Sequence, residues 1–406
     1  MLDLDDRLDE LKELGLYRRP RMVSGPQGPR VVLDGRPVLV LCSGNSLGFA
    51  DHPRVREAAA DAAMRWGVGA GAARVASGTM TLHRRLEERL AAFTGADAAV
   101  LFGSGSAANL GVIPALARKG EVAFHDELAH PSIADGCRLA GADVFAYRHA
   151  DPEHLAWGLR QADGRGALIA TDGVFGLDGD VAPLEEIVAL ARRHDVRVLV
   201  DEAQALGALG PDGRGAVAEA RLEDEVDVVT GSLGKALGSG GGFACCDHVT
   251  ARYLLNSVRT LLHSTAPPPV AVAAAMAALE LLREQPRRVE KLHANAETLR
   301  DGLAREGFEV AGACTHVVPV LVGAAGPAAR IVEHALEQGV FAEAVLPPGA
   351  PDGAARLRLS VMASHTRSEL RDAARVLARA ALRAGFRPGA GGPVAVAQLE
   401  SLPRAA

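Results

Sequence analysis

Val226-Asp-Val-Val-Thr230-Gly-Ser-Leu-Gly-Lys235-Ala-Leu-Gly-Ser-Gly-Gly-Gly242 is a short apolar strand that breaks into a glycine-rich loop with a lysine at its head. The chain writes nearly every other cation as arginine. Lys12, Lys119 and Lys291 are its only other lysines. Arginine stays protonated at any working pH, whereas a desolvated lysine amine can lose its proton and attack a carbonyl. The stretch therefore points to a carbonyl cofactor held by Lys235.

Upstream, Val196-Arg-Val-Leu-Val200 runs into Asp201-Glu-Ala-Gln204. It reads as a buried parallel strand that delivers a carboxylate to the sheet edge where ligands gather in open α/β folds. An aspartate there can keep the pyridine nitrogen of pyridoxal phosphate protonated, so that the ring serves as an electron sink. A third strand, Val100-Leu-Phe102, breaks into Gly103-Ser-Gly-Ser-Ala-Ala-Asn109 and then an apolar helix. The N–H groups of Gly105 and Ser106 at that helix start suit a phosphate. A dinucleotide loop is the competing reading, but the run lacks GxGxxG and that reading leaves Lys235 unexplained.

These residues, in this order, resemble the α-oxoamine synthase family of pyridoxal-phosphate enzymes. The resemblance runs from about Ser43 to His365 through Gly67-Val-Gly-Ala-Gly71, Arg74-Val-Ala-Ser-Gly-Thr79, Thr171-Asp-Gly-Val-Phe-Gly-Leu-Asp-Gly-Asp180, Gly213-Arg-Gly215, Ser264-Thr-Ala-Pro-Pro268 and Arg356-Leu-Arg-Leu-Ser360. It implies the type I pyridoxal-phosphate transferase fold: a large domain with a mainly parallel seven-stranded sheet, and a smaller α/β C-terminal domain. It implies a reaction in which an amino acid condenses with an acyl-CoA and loses CO2, giving an α-amino ketone. Pimeloyl-CoA with alanine is the first expectation for the substrates, acetyl-CoA with glycine the second. An aminotransferase or carbon–carbon lyase of the same fold, or a non-catalytic partner subunit, are the other classes weighed.

Carried over residue by residue, the resemblance implies that Lys235 forms the Schiff base, Asp201 pairs with the pyridine nitrogen and His130 stacks on the ring. Gly105, Ser106, Asp172, Gln204 and Ser232 are expected to complete the cofactor site. Thr265 is expected to reach it from a neighbouring subunit, which implies a homodimer with shared active sites. Asn45, His83, Arg21 and Arg358 are expected on the substrate side, Arg358 as a planar fork for the amino-acid carboxylate. Departures from the family pattern stand at Gly44, Ser46, Ser106, Gly176 and Gln204. Gln204 replaces a histidine and carries no titratable proton.

Some 400 residues at a formal net charge of −6 suit a two-domain soluble enzyme. Arginines are scattered among acids, so no nucleic-acid surface is expected. The acidic start, Met1-Leu-Asp-Leu-Asp-Asp6, lacks a secretory signature, and no run of about eighteen apolar residues suggests a membrane span. Five cysteines without metal-ligand spacing read as reduced thiols of a cytoplasmic protein, with no metal site expected. Along the chain, 1–44 reads as an N-terminal helix and hairpin packing with the small domain, and 45–270 as the large cofactor domain. Residues 271–386 read as the small domain and 387–406 as a flexible tail.

Overall fold

The computed structural model describes residues 4–14, 16–310 and 315–389. Most of the tail expected after 387, and Cys314, lie outside the described residues. The central sheet has seven strands in the order Ala98–Phe102, Gly242–Cys246, Val228–Ser232, Arg197–Asp201, Gly166–Asp172, Val122–Asp126 and Asp143–Tyr147. Only the Gly242–Cys246 strand runs antiparallel to its neighbours. The strands of this sheet read as continuous apolar runs because helices cover both faces. Val198, Leu199 and Val200 are all buried, as are Leu168, Ile169 and Ala170.

One face is closed by the helices Pro53–Trp66, Thr81–Thr94 and Pro269–Glu284. The Thr81–Thr94 helix packs through Leu82, Leu86, Leu90 and Phe93, a stripe of helical period, against Leu101, Phe243 and the alanine-rich face of Pro269–Glu284. Each such side chain fully withdrawn from water contributes about 1.5–3 kcal/mol. Val272 to Leu282 join this core, so the helix that opens at Pro269 packs with the sheet that precedes it in the chain.

The remaining strands form two smaller sheets. Val317–Gly323, Ala355–Ser360 and Glu343–Val345 make an antiparallel sheet backed by the helices Arg287–Arg305, Ala325–Glu337 and Arg367–Arg383. The N-terminal hairpin, Arg30–Leu33 with Arg36–Val40, turns at Asp34-Gly35 and is extended in parallel by Val340–Phe341. Leu39 and Leu41 thereby enter the same apolar cluster as Leu357, Leu359 and Leu377. The helix Leu4–Glu13 has no buried residue, so the leucines that predict it are spent on an exposed surface.

The register of the three middle strands decides where chemistry can occur. Asp172 pairs with Asp201, and Asp201 with Thr230, so two carboxylates and a hydroxyl stand side by side at the C-terminal edge. Lys235 follows five residues after Thr230 on the loop that leaves that edge.

Candidate active site

Asn109 is the hub of the site. It lies on the helix Gly105–Leu116, one turn inside its start, and is wholly buried. Its Nδ2 donates to Asp201 Oδ2 at 2.6 Å and to Ser132 Oγ at 2.9 Å, and its Oδ1 accepts from Thr230 Oγ1 at 2.7 Å. Asp201 Oδ1 accepts from the Ala203 N–H at 2.8 Å. Both oxygens of a buried carboxylate are thus oriented by fixed donors, which a charge taken out of water requires.

His130 enters from the far side of the same network. Ser132 Oγ lies 2.7 Å from His130 Nδ1, and the Ser132 N–H donates to that nitrogen at 3.2 Å. Ser132 Oγ accepts from Asn109, so its own proton is free for Nδ1, which leaves the ring proton on Nε2. Desolvation lowers the imidazole below its ordinary pKa; Lys235 and Arg358 act the same way, and Asp201 pulls against them. The His130 N–H donates to Asp172 Oδ2 at 2.7 Å. Burial, and then the nearby Asp201, raise the Asp172 carboxyl well above the usual carboxylate range.

Lys235 faces these groups. Burial lowers its ammonium below the ordinary lysine value and Arg358 adds to that, while Asp201 and Asp172 oppose it. A lysine whose pKa is brought toward working pH is a nucleophile and a base. Beneath it, a methyl group added at Gly44 would stand 3.3 Å from Lys235 Cγ. The missing side chain at 44 is therefore room for the lysine's stem.

A cradle lies beside the lysine. A Cβ at Gly105 would come within 3.2 Å of Ser232 Cβ, so the helix start and the Val228–Ser232 strand close on each other with only backbone between them. Ser104 caps the helix by accepting from the Ala107 N–H at 3.0 Å, and Ser106 is exposed at the mouth. Free N–H groups at a helix start next to a serine hydroxyl suit a phosphate.

Two departures from the family pattern are neighbours. A Cβ at Gly176 would meet Gln204 Nε2 at 3.1 Å, so the small residue at 176 and the long amide at 204 fit one space. Gly176→Ser alone is expected to push Gln204 aside and weaken retention of whatever Gln204 contacts by roughly two- to fivefold. Gln204→Ala should relieve that effect, giving a coupling of about 0.5–1 kcal/mol in a double-mutant cycle. Additive effects would show that the two positions are independent.

The loop that carries Gly176 is braced from outside. His149 Nδ1 lies 2.9 Å from Asp126 Oδ1 and its Nε2 2.9 Å from Asp180 Oδ2, with the ring edge-on to Phe175. Burial alone would lower this imidazole, but the two aspartates outweigh it and hold it up to about 10. Arg356, buried, pairs with Asp178. Arg358 Nη1 reaches Gly176 O at 3.4 Å and Nη2 donates to Glu343 Oε2 at 2.5 Å.

Three residues expected on the substrate side have polar atoms engaged within the chain. His83 is wholly buried at the start of the Thr81–Thr94 helix. Its Nδ1 accepts from the Met80 N–H at 3.0 Å and its Nε2 lies 2.8 Å from Pro267 O, so both ring nitrogens are committed to backbone. Asn45 is also buried; its amide donates to Gln27 O at 3.2 Å and accepts from the Ala50 N–H at 3.1 Å, which shapes the 44–50 turn. Arg21 pairs with Glu333 at 2.6 Å and stands 3.8 Å from Asp34, on the exposed side of the hairpin. Thr265 is exposed, next to Ala73 through an isolated bridge.

Several motif residues prove architectural. Arg74 and Glu87 form a buried pair at 2.8 Å, and each also bonds the Leu101 backbone. Gly215 has φ +109° and a Cβ there would lie 2.5 Å from Glu202 Oε2, which accepts from the Ala216 N–H while Oε1 accepts from the Val217 N–H. Reading the sequence missed Asn109, Ser132 and Glu343. Asn109 left one signal, an amide in an otherwise apolar helix.

Comparison with known proteins follows the same architecture. Residues 36–377 match the model of the aminotransferase class I and II family. The chain belongs to that family. Among class I and II relatives, an 8-amino-7-oxononanoate synthase of Citrifermentans bemidjiense is 44% identical over 94% of this chain and 98% of its own length. Another from Geobacter sulfurreducens is 45% identical over 92% and 96%. Among solved structures, Sphingomonas wittichii serine palmitoyltransferase is 31% identical with a TM-score of 0.89, covering 94% of this chain and 97% of its own. A structure of SPT with its PLP internal aldimine superposes equally well, at TM-score 0.89 and 31% identity over 94% and 97%. These neighbours share the large mainly parallel sheet and the smaller domain expected from the sequence.

Proposed function

We propose that the protein is a pyridoxal-phosphate-dependent acyltransferase that condenses an amino acid with an acyl-CoA and releases CO2, an enzyme of the 8-amino-7-oxononanoate synthase kind. The observation that carries this reading is the convergence of a lysine of lowered pKa, a doubly oriented buried aspartate and a helix-start cradle on one sheet edge. The names of the relatives at 44–45% identity support the reaction class.

The residues fit the cofactor. Lys235 would hold its aldehyde carbon, Asp201 its ring nitrogen, and Gly105, Ser106 and Ser232 its phosphate. His130 would lie against the ring and Gln204 would donate to its phenolic oxygen. We place Thr265 of a second copy at the phosphate, because Thr265 is exposed and a dimer would cover it. Bound there, pyridoxal phosphate supplies a protonated pyridine ring that draws electrons from the amino acid's Cα. Lys235 Nζ takes the Cα proton, a role that burial favours by lowering the pKa of its ammonium. Asn109 and the Ala203 N–H, each donating to one oxygen, fix the orientation of the Asp201 carboxylate toward the ring nitrogen it would pair with. Arg358 holds the substrate carboxylate, which orients the Cα bond toward Lys235. Overall, a bond forms between Cα and the thioester carbonyl carbon as the C–S bond breaks, coenzyme A leaves as the thiol with the proton taken from Cα, and the carboxylate leaves as CO2 while Cα takes up a proton from solvent in its place.

Alanine with pimeloyl-CoA is the leading pair and glycine with acetyl-CoA, the glycine C-acetyltransferase reaction, the second. Thiol release should be measured with pimeloyl-, acetyl-, succinyl- and palmitoyl-CoA against alanine, glycine and serine, on protein that shows bound-cofactor absorbance. Turnover with one pair is expected. Cofactor absorbance without thiol release from any pair would overturn the acyltransferase reading and leave an enzyme of this family that needs no acyl-CoA.

A further inference from the structure

Arg358 does not stand free. Its strand pairs antiparallel with Glu343–Val345, and the register sets Glu343 directly opposite Arg358. Glu343 Oε2 accepts from Arg358 Nη2 at 2.5 Å, while Nη1 reaches Gly176 O only at 3.4 Å and Nε is buried without a hydrogen-bond partner. The guanidinium presents two planar forks, Nη1 with Nη2 and Nε with Nη2. Nη2 belongs to both. A carboxylate docking on either fork must share Nη2 with Glu343.

The pair is also built to exchange. The side chains of Arg358 and Glu343 are 30% and 42% exposed, against 10% for Arg356, which Asp178 holds two strand positions away. A solvent-reached ion pair is worth little net and can be traded for another carboxylate, whereas the buried one is fixed. Edge position adds to this, since Glu343–Val345 lies at the border of its three-stranded sheet. Arg358 also stands within electrostatic reach of both Lys235 and His130. Glu343 therefore carries a negative charge to the rim of the site, where a substrate carboxylate would arrive.

We propose that Glu343 is a specificity-determining residue, an internal carboxylate that occupies Arg358 and that an amino-acid substrate must displace or share. This rests on the reading that the site binds an amino acid at Arg358. Glu343 sets how weakly the free amino acid binds and turns away amino acids with a second acidic group near the rim, which would meet its charge.

The test is a titration of the cofactor-loaded enzyme with L-alanine and glycine, followed by the bound-cofactor absorbance, for the unaltered protein, Glu343→Gln and Glu343→Ala. Both variants are expected to bind the amino acid roughly three- to tenfold more tightly. The acyl-CoA KM should be unchanged and L-aspartate binding should gain more than alanine. In an Arg358→Ala background, Glu343→Gln should leave the amino-acid Kd unchanged. Equal or weaker binding in the single variants overturns the proposal, weaker binding marking Glu343 as a group that only orients Arg358. Tightening that persists without Arg358 overturns it as well. Absence of any absorbance response to amino acids in the unaltered protein would instead remove the amino-acid reading itself, and this proposal with it.

Discussion

Lys235→Ala is expected to abolish thiol release, lowering the rate by at least about 10²–10⁴-fold, and to remove the bound-cofactor absorbance without altering the fold. The loop from Ser232 to Gly242 makes its own backbone bonds, Leu233 N to Gly241 O and Ser239 N to Leu233 O, that do not involve the amine. Far-ultraviolet circular dichroism should therefore be unchanged. Lys235→Arg is the sharper variant. It preserves length and charge but cannot deprotonate, so activity should stay lost. Substantial activity in either variant would mean that the lysine is not the reacting amine.

Asn109→Leu should be the most damaging change outside the lysine. Leucine nearly matches the volume but leaves Asp201 Oδ2, Ser132 Oγ and Thr230 Oγ1 short of a partner in a dry interior. Unsatisfied buried groups cost about 1–3 kcal/mol each, more for a charge. A loss of about 3–5 kcal/mol in urea unfolding is expected, with a fall of roughly 10²-fold or more in kcat/KM. Asn109→Asp would place a second carboxylate at the 2.6 Å contact with Asp201 and force one of the pair to take a proton. Its activity should then rise as pH falls, whereas Asn109→Leu should show no such dependence. A stability change below about 1 kcal/mol for Asn109→Leu would show that water replaces the amide.

How much of this was legible beforehand follows from what each residue does. Apolar strands ending in Asp201, and in Ser232 just ahead of Lys235, announce themselves because strand ends and punctuating glycines are local events. The helix start at Gly105 is local too, and the seven-stranded sheet follows from their alternation. Asn109 was hidden because its three partners come from positions 132, 201 and 230, and its role exists only once the sheet is assembled. His83 and Asn45 show the opposite case. A polar residue near glycine-rich motifs looks available to a ligand, yet both spend their polar atoms on backbone that burial would otherwise leave unpaired. Arg21, expected on the substrate side, pairs instead with Glu333, more than three hundred residues on. Gly176 and Gln204 were each noticed as departures, but only the contact between them makes them one change.

The Asn109 junction joins a helix, the ends of two strands and a second helix's first turn through three short bonds between buried groups. The rim is assembled otherwise, from Gln204, Glu343 and two glycines, Gly44 and Gly176, whose missing side chains leave room for Lys235 and Gln204. Substrate preference can thus be re-specified by changing one or two rim positions while the centre stays intact, whereas a change at the centre is expected to cost stability and rate together. An engineer seeking new acyl or amino-acid partners for this scaffold has a small, separable set of positions to vary.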